Sequence, residues 1–162
     1  MRKTVIGVMG PGESAGDGVT GSALELGRRI AEEGWVVLSG GMGTGVMEAV
    51  SRGAAEAGGL TVGILPGVDE SGSSGYLDVA IKTGMGSGRN NINVLSSDLI
   101  IVCGMSTGTA SEVALALKAE RPVVLLGADE KTANFFNQLG AGRVQTARNA
   151  EDAVRLAKRI LG

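Results

Sequence analysis

Short apolar segments alternate with amphipathic segments along the whole chain, and this alternation predicts the order of strands and helices. Apolar runs such as TVIGVMG and DLIIVCG predict buried strands at residues 4–10, 35–41, 61–67, 78–84, 98–104 and 121–127, with a weaker seventh at 143–147. Apolar residues at helical spacing predict helices at residues 22–34, 45–58, 87–97, 108–119, 134–140 and 151–161. Strands that are apolar throughout, with helices between them, are typical of a parallel sheet covered on both faces. The pattern therefore predicts a Rossmann-like α/β fold, with a doubly wound, mostly parallel sheet of six to seven strands.

Glycine is the most informative part of the composition, because it clusters where the predicted strands end. The chain has 162 residues, 28 of them glycine, and no linker-like segment, so a single domain is expected over residues 1–162. The glycines concentrate at residues 10–18, 39–45 and 103–108. Ligands of doubly wound sheets bind beyond the carboxyl ends of the strands. These three loops are therefore the candidate ligand-binding loops of a phosphate- or nucleotide-binding domain.

Several residue types are absent or rare, which excludes some classes of chemistry. The chain contains no histidine, so a histidine base, a Ser-His triad and a histidine metal site are excluded. The single cysteine, Cys103, excludes an internal disulfide and a cysteine zinc cluster. We expect no metal site, and any catalysis would have to use carboxylates, Arg, Lys, hydroxyls or backbone amides.

Charge and hydropathy give expectations about partners and location. The net charge is -2, no block of like charges occurs, and aromatic residues make up 2% of the chain, which argues against nucleic-acid binding. No apolar stretch reaches membrane-spanning length, and no signal peptide precedes the first predicted strand. We expect a cytoplasmic protein with neither a nucleic-acid nor a membrane partner.

The first loop, GPGESA at residues 10–15, matches the pattern G-x-G-x-x-A. A dinucleotide site also needs an acidic residue at the end of the second strand, to hold the ribose hydroxyls. That strand ends in Ser39-Gly40-Gly41 instead. We therefore interpret this loop as a tight turn into the first helix, and retain Gly12 as a candidate phosphate contact.

The second and third loops share a sequence pattern, since GMGTG at 41–45 resembles GMSTG at 104–108. Glycines allow several backbone amides to point at one anion, and the following helix N-terminus favours negative charge. Neither loop contains lysine, so neither is a Walker A motif. Close packing of strand on helix would also explain glycines here. We expect two cradles for one phosphorylated ligand, formed by Gly40, Gly41, Met42, Gly43, Thr44, Gly45, Gly104, Met105, Ser106, Thr107, Gly108 and Thr109.

Glu112 follows the third loop and has two interpretations. Thr109-Ala-Ser-Glu112 fits a helix capping box, in which the glutamate turns back to a backbone amide. Alternatively, Glu112 faces a ligand held by the loop.

Arg89, in GSGRNN, lies near a predicted helix start, where the helix dipole disfavours a cation. An anionic ligand would offset the unfavourable interaction between Arg89 and the helix dipole, because the planar guanidinium group binds phosphate or carboxylate well.

These motifs resemble the LONELY GUY, or lysine decarboxylase-like, group of Rossmann-like proteins, from Val5 to about Leu126. The family motif G-G-x-x-x-G-x-M matches residues 40–47, and the second motif matches Arg89, Asp98, Gly108, Thr109 and Glu112. The resemblance implies a homodimer or homotetramer, with Arg89 and Glu112 as catalytic residues that cleave the N-glycosidic bond of a nucleoside 5′-monophosphate. It also favours placing Glu112 at the ligand crevice. A pyridoxal-dependent decarboxylase is not expected, because no lysine lies in the three loops.

The chain also departs from the hydrolase motifs. Gly104-Met105-Ser106 stands where the family has Pro-Gly-Gly, and Asn90 stands where it has lysine. The segments 88–90 and 111–118 are more similar to a branch that contains molybdenum cofactor carrier proteins. We therefore expect binding of a phosphorylated nucleotide-like or pterin-like molecule. No cofactor is expected to be required, and the candidates for the bound molecule are a nucleotide and molybdenum cofactor. The alternative is a phosphoribohydrolase that releases free base and ribose 5-phosphate. The polar segment 68–76 is the candidate lid.

Overall fold

The structure is a computed structural model that describes the whole chain, from Met1 to Gly162. Its strands are β1 Val5–Met9, β2 Val36–Ser39, β3 Thr61–Leu65, β4 Val79–Lys82, β5 Leu99–Cys103, β6 Val123–Leu126 and β7 Val144–Ala147. Its helices are α1 Asp17–Glu32, α2 Gly45–Glu56, α3 Asn90–Leu95, α4 Thr107–Lys118, α5 Glu130–Gly140 and α6 Ala150–Leu161, and a 3₁₀ turn, Gly86–Arg89, leads into α3. The seven strands form one sheet in the order β4-β3-β2-β1-β5-β6-β7, with every neighbouring pair parallel. The predicted doubly wound α/β fold is confirmed, including the weak seventh strand.

The order of strands reverses beside β1. The chain winds outward from β1 to β4, crosses back to place β5 against the other side of β1, and winds outward again to β7. The carboxyl ends of β1 and β5 therefore form the topological switch point, where such folds bind ligands. Gly10 follows β1 there, and a Cβ on Gly10 would lie 2.3 Å from the carbonyl oxygen of Cys103. Glycine thus lets the chain leaving β1 pass closely against the end of β5.

Two apolar cores cover the opposite faces of the sheet. Helices α1, α2 and α6 pack on one face, where Leu26 and Ala153 are buried. Helices α3, α4 and α5 pack on the other, where Val113 and Phe136 are buried. None of the six helices combines the length and apolar character needed to span a membrane.

Two helices begin four or more residues earlier than predicted. Helix α1 begins at Asp17 rather than at residue 22, although the segment from 16 to 22 contains three glycines. Helix α5 begins at Glu130 rather than at residue 134, because Asp129 Oδ1 accepts the Thr132 N–H at 2.9 Å and caps the helix. The spacing of apolar residues cannot reveal a first helical turn whose residues are mostly polar.

The homodimer or homotetramer stays a prediction. Edge strand β4 exposes Val79 and Ile81, each at 44% of its surface, which offers one apolar surface for a second copy of the chain.

Helices α1 and α2 touch backbone to backbone, which requires glycine at the contact. A Cβ on Gly27 would lie 2.1 Å from the Val50 carbonyl oxygen, whereas a Cβ on Gly21, also in α1, would meet nothing within 4 Å. We expect Gly27→Ala to lower the free energy of unfolding by roughly 1–3 kcal/mol, because the helices must separate. The control Gly21→Ala should raise it by roughly 0.5–1 kcal/mol through helix propensity. Urea denaturation measures both, and equal effects of the two variants would contradict this packing.

Candidate functional site

A polar cavity of about 130 Å³ opens at the switch point, beyond the carboxyl ends of β1 and β2 and beside the start of α4. Its wall combines elements that are distant in sequence, and its only charged side chains are Arg89 and Glu112. The lining residues are Val8, Met9, Gly10, Gly40, Met47, Arg89, Asn90, Ser106, Gly108, Thr109 and Glu112. The structure thus brings six of the predicted site residues together here: Gly40, Arg89, Ser106, Gly108, Thr109 and Glu112.

Arg89 ends the 3₁₀ turn and extends its guanidinium group into the cavity. One hydrogen bond holds it, from Nη1 to the Asn90 side-chain oxygen at 2.9 Å. The side chain forms no ion pair, and its Nε is buried without a hydrogen-bond partner. Partial burial lowers the pKa of Arg89, and the nearby Glu112 charge opposes that shift. A half-buried cation that forms no close ion pair is costly, so the cavity favours an added anion.

Gly40 makes room for the guanidinium group. A Cβ at position 40 would lie 2.9 Å from Nη2 of Arg89 and 2.7 Å from the Met47 sulfur. A side chain there would require the ends of the Arg89 and Met47 side chains to shift. Gly40, which follows β2, therefore leaves space for the end of the Arg89 side chain.

Glu112 faces the same cavity from α4 and is 7% exposed. Its Oε1 accepts a hydrogen bond from Asn93 Nδ2 at 2.9 Å. Burial raises the pKa of Glu112 to about 7, while the Asn93 hydrogen bond and the Arg89 charge act in the opposite direction. Near neutral pH this carboxyl group can accept or release a proton.

The capping box is not formed. The N-cap of α4 is Ser106, whose Oγ accepts the Thr109 N–H at 3.3 Å and lies 2.9 Å from the Thr109 hydroxyl. Since Ser106 already caps the helix, Glu112 is free to face the cavity. The N–H groups of Thr107 and Gly108 have no backbone partner, as expected for the first residues of a helix.

Two asparagines of α3, neither of them predicted as a site residue from the sequence, hold the two charged groups in place. Asn90 accepts from Arg89 and donates through Nδ2 to the Ser111 hydroxyl at 3.0 Å, which connects α3 to α4. Asn93 is fully buried and holds Glu112. The only local signal is their spacing, because residues three apart share one face of a helix.

In the second loop, two of the backbone amides predicted to cradle a ligand have hydrogen-bond partners within the protein. The Gly41 N–H donates to Ser39 Oγ at 3.1 Å, and the Gly43 N–H donates to the Gly72 carbonyl at 2.8 Å. These amides are therefore engaged within the protein. Of this loop only Gly40 lines the cavity, and Gly41, Met42, Gly43, Thr44 and Gly45 do not.

Loop packing accounts for several of those residues. A Cβ on Gly45 would lie 2.0 Å from the Gly12 carbonyl oxygen, and one on Gly12 would lie 3.0 Å from the Thr44 hydroxyl. Gly12 and Gly45 thus pack the first loop against the second, outside the cavity. The alternative explanation for the glycines was close packing of strand on helix, whereas the close contact at Gly12 and Gly45 is between two loops.

The third loop is divided between two cavities. Ser106, Gly108 and Thr109 line the polar cavity, whereas Gly104 and Met105 line a neighbouring one at the ends of β5 and β6. Thr107 is exposed and lines neither of them.

The candidate lid, residues 68–76, is anchored to the second loop. The Ser74 N–H donates to the Gly41 carbonyl at 2.9 Å, in addition to the bond between Gly43 and Gly72. These bonds hold its centre against residues 41–43, and its closure over a ligand stays a prediction.

No group of three or more His, Cys, Asp or Glu side chains is arranged to hold a metal ion. Cys103 is buried, and burial raises the pKa of its thiol to about 12, which makes it a poor metal ligand or nucleophile.

Comparison with known proteins gives matches over nearly the whole chain. A protein of Archaeoglobus fulgidus, described as uncharacterised, is 44% identical over 126 residues, which are 78% of this chain and 82% of that protein. The structure of the molybdenum cofactor binding protein of Rippkaea orientalis is 51% identical, covers 100% of this chain and 99% of its own, and superposes with a TM-score of 0.98. The molybdenum cofactor carrier protein of Chlamydomonas reinhardtii is 48% identical, with 99% of each chain covered and a TM-score of 0.94.

The family assignment agrees with the resemblance seen in the loop motifs. Residues 3–154 match the family described as SLOG cluster4, and the chain belongs to that family.

Proposed function

We propose that this protein binds a phosphorylated pterin-like or nucleotide-like molecule, such as molybdenum cofactor, at the polar cavity and does not change it chemically. The observation that carries the proposal is Arg89: its guanidinium group faces the cavity half-buried and forms no ion pair, with Glu112 as the only other charged side chain of the cavity. A phosphate at the guanidinium group would supply the missing ion pair. Guanidinium–phosphate pairs are short, charge-assisted and often bidentate.

The start of α4 supplies further donors on the other side of the cavity. The Gly108 N–H, which has no backbone partner and belongs to a residue that lines the cavity, lies at the helix N-terminus, where the helix dipole favours an anion. The hydroxyls of Ser106 and Thr109 lie at the same wall. Arg89 and α4 would thus hold one anionic group between them.

The size of the cavity fits one part of such a ligand. Its volume of about 130 Å³ is below the ~300–1,000 Å³ of pockets that enclose a whole ligand. It would hold the anionic end, while the rest of the molecule extends over the rim. The metal of a molybdenum cofactor is bound by sulfur atoms of the pterin itself, so it would arrive as part of the cargo.

Similarity to two proteins whose descriptions name molybdenum cofactor supports this choice of ligand. They are 51% and 48% identical over nearly the full chain. The loop 104–106 and Asn90, where the sequence departs from the hydrolase motifs, point in the same direction.

The alternative function is a nucleoside 5′-monophosphate phosphoribohydrolase, and the observation that favours it is Glu112. Cleavage of an N-glycosidic bond builds positive charge on the ribose, which a carboxylate can stabilise while it activates water. Glu112, with its pKa of about 7, lines the cavity together with Arg89. A base of this kind would suit water activation near neutral pH.

Incubation with a panel of nucleoside 5′-monophosphates distinguishes the two functions. We expect no free base above the uncatalysed rate, together with retention of molybdenum and a phosphorylated pterin after gel filtration of the loaded protein. Chromatography for free base and elemental analysis measure the two outcomes. Base release that disappears in both Glu112→Gln and Arg89→Ala would instead establish the hydrolase.

A further inference from the structure

A second cavity, of about 90 Å³, lies at the carboxyl ends of β5 and β6. Apolar side chains of both strands form its floor, and Met105 and Ala128 extend its apolar wall. Asp129, at the start of α5, is its only charged side chain. Five of its nine lining residues are hydrophobic, against three of eleven in the first cavity, so the second cavity is the more apolar of the two.

The two cavities are close neighbours. Gly104 and Met105 line the second cavity, and Ser106, the next residue along the chain, lines the first. The first lies over β1 and the second over β5 and β6, which are adjacent in the sheet. Since parallel strands are about 4.8 Å apart, the cavities are separated by roughly one or two strand spacings. An elongated small molecule is long enough to span this distance.

The carboxylate of Asp129 is held in place and ionised. Its Oδ1 accepts the Thr132 N–H at 2.9 Å, and its Oδ2 accepts the Thr132 hydroxyl at 2.9 Å. The backbone hydrogen bond from Thr132 is the main reason that the pKa of Asp129 lies below its usual value. Each carboxylate oxygen has a further lone pair, so the group can still accept from a ligand.

Met105 is the second distinctive side chain of this cavity. It is 37% exposed, although it lies among apolar groups of the loop that separates the cavities. A flexible thioether packs well against the face or edge of a flat ring. A ring in the cavity would cover this exposed apolar surface.

We propose that the second cavity binds the heterocyclic ring of the ligand, with Asp129 accepting hydrogen bonds from adjacent N–H groups on the edge of that ring. This inference rests on the proposed function, in which the anionic end of the same ligand lies at Arg89. Guanine and pterin share the required edge, a ring N–H beside an amino group. A carboxylate, which only accepts hydrogen bonds, is complementary to two such donors.

Guanosine and inosine 5′-monophosphates test the inference, because inosine lacks the amino group and is otherwise matched. The wild-type protein should bind the guanosine nucleotide about tenfold more tightly, the discrimination typical of a bidentate contact. Asp129→Asn should reduce this ratio to less than about threefold, since one acceptor becomes a donor. Asparagine caps helices as well as aspartate does, so α5 should remain folded. Glu56→Gln, an exposed carboxylate-to-amide change at the far end of α2, is the matched control.

Ribose 5-phosphate, which has no heterocycle, separates the two proposals. It should bind wild type and Asp129→Asn equally, because it reaches only the polar cavity. Equal affinity of wild type for the two nucleotides, or an equal loss of both in Asp129→Asn, would overturn the ring site and leave the Arg89 site standing. If ribose 5-phosphate and both nucleotides all fail to bind by calorimetry, the proposed function fails and the ring site fails with it.

Discussion

Arg89→Gln is expected to lower the affinity for a phosphorylated ligand by roughly 30-fold or more, because losing one partner of a buried charge pair costs about 2–5 kcal/mol. The variant should not lose stability. In the free protein Arg89 is half-buried, forms no ion pair and leaves Nε unsatisfied, so its removal relieves a cost. Loss of binding without loss of stability would show that Arg89 serves ligand binding rather than folding.

The matched control is Arg52→Gln, since Arg52 lies on the exposed side of α2 near the opposite end of the strands. It should bind ligand as the wild type does. Calorimetric titration gives the affinities, and urea denaturation gives the stabilities. A variant at position 89 that binds normally, or that binds poorly only because it unfolds, would show that Arg89 is structural.

Glu112→Gln is expected to stabilise the protein above neutral pH. The pKa of Glu112 is raised in the folded state from 4.5 to about 7, so folding favours the protonated form. Below pH 4.5 the group is protonated in both the folded and the unfolded state, and glutamate carries no penalty. As the pH rises from 4.5 through 7, the unfolded chain ionises more readily, and the wild type loses up to about 3 kcal/mol of stability. Glutamine does not titrate, so this loss should be absent from the variant.

The same group should make anion binding depend on pH. As the pH falls from 8.5 to 6.5, Glu112 becomes neutral and no longer repels a phosphate at Arg89, so affinity should rise several-fold. Phosphate monoesters take up a proton near pH 6, which sets the lower limit of that range. In Glu112→Gln the affinity should vary little. Denaturation and calorimetry over this range test both effects, and parallel pH profiles for the two proteins would contradict the assigned pKa.

The fold was predictable because it depends on patterns that the local sequence carries. The apolar runs predicted the strands. The glycines that follow those strands predicted that the candidate site lies at the carboxyl ends of the strands. The starts of α1 and α5 were missed because their first turns are polar, and only the capping contact of Asp129 with Thr132 shows where α5 begins.

The site was predictable only in part, because long-range contacts decide how each loop is used. GMGTG and GMSTG look alike in sequence, yet the Gly43 N–H donates to the Gly72 carbonyl, whereas the Gly108 N–H has no backbone partner. The caps also differ: Ser106 accepts a hydrogen bond at the start of α4, and Thr44 makes no such bond at the start of α2. The hydrogen bond from Asn93 to Glu112 joins α3 to α4, so no local sequence pattern predicts it.

The most direct test of the central claim is a crystal structure of the protein loaded with molybdenum cofactor or a phosphorylated pterin. We expect the phosphate oxygens within about 3 Å of the Arg89 guanidinium group and of the N–H groups at the start of α4. A ligand bound elsewhere, with Arg89 making no contact to it, would contradict the account.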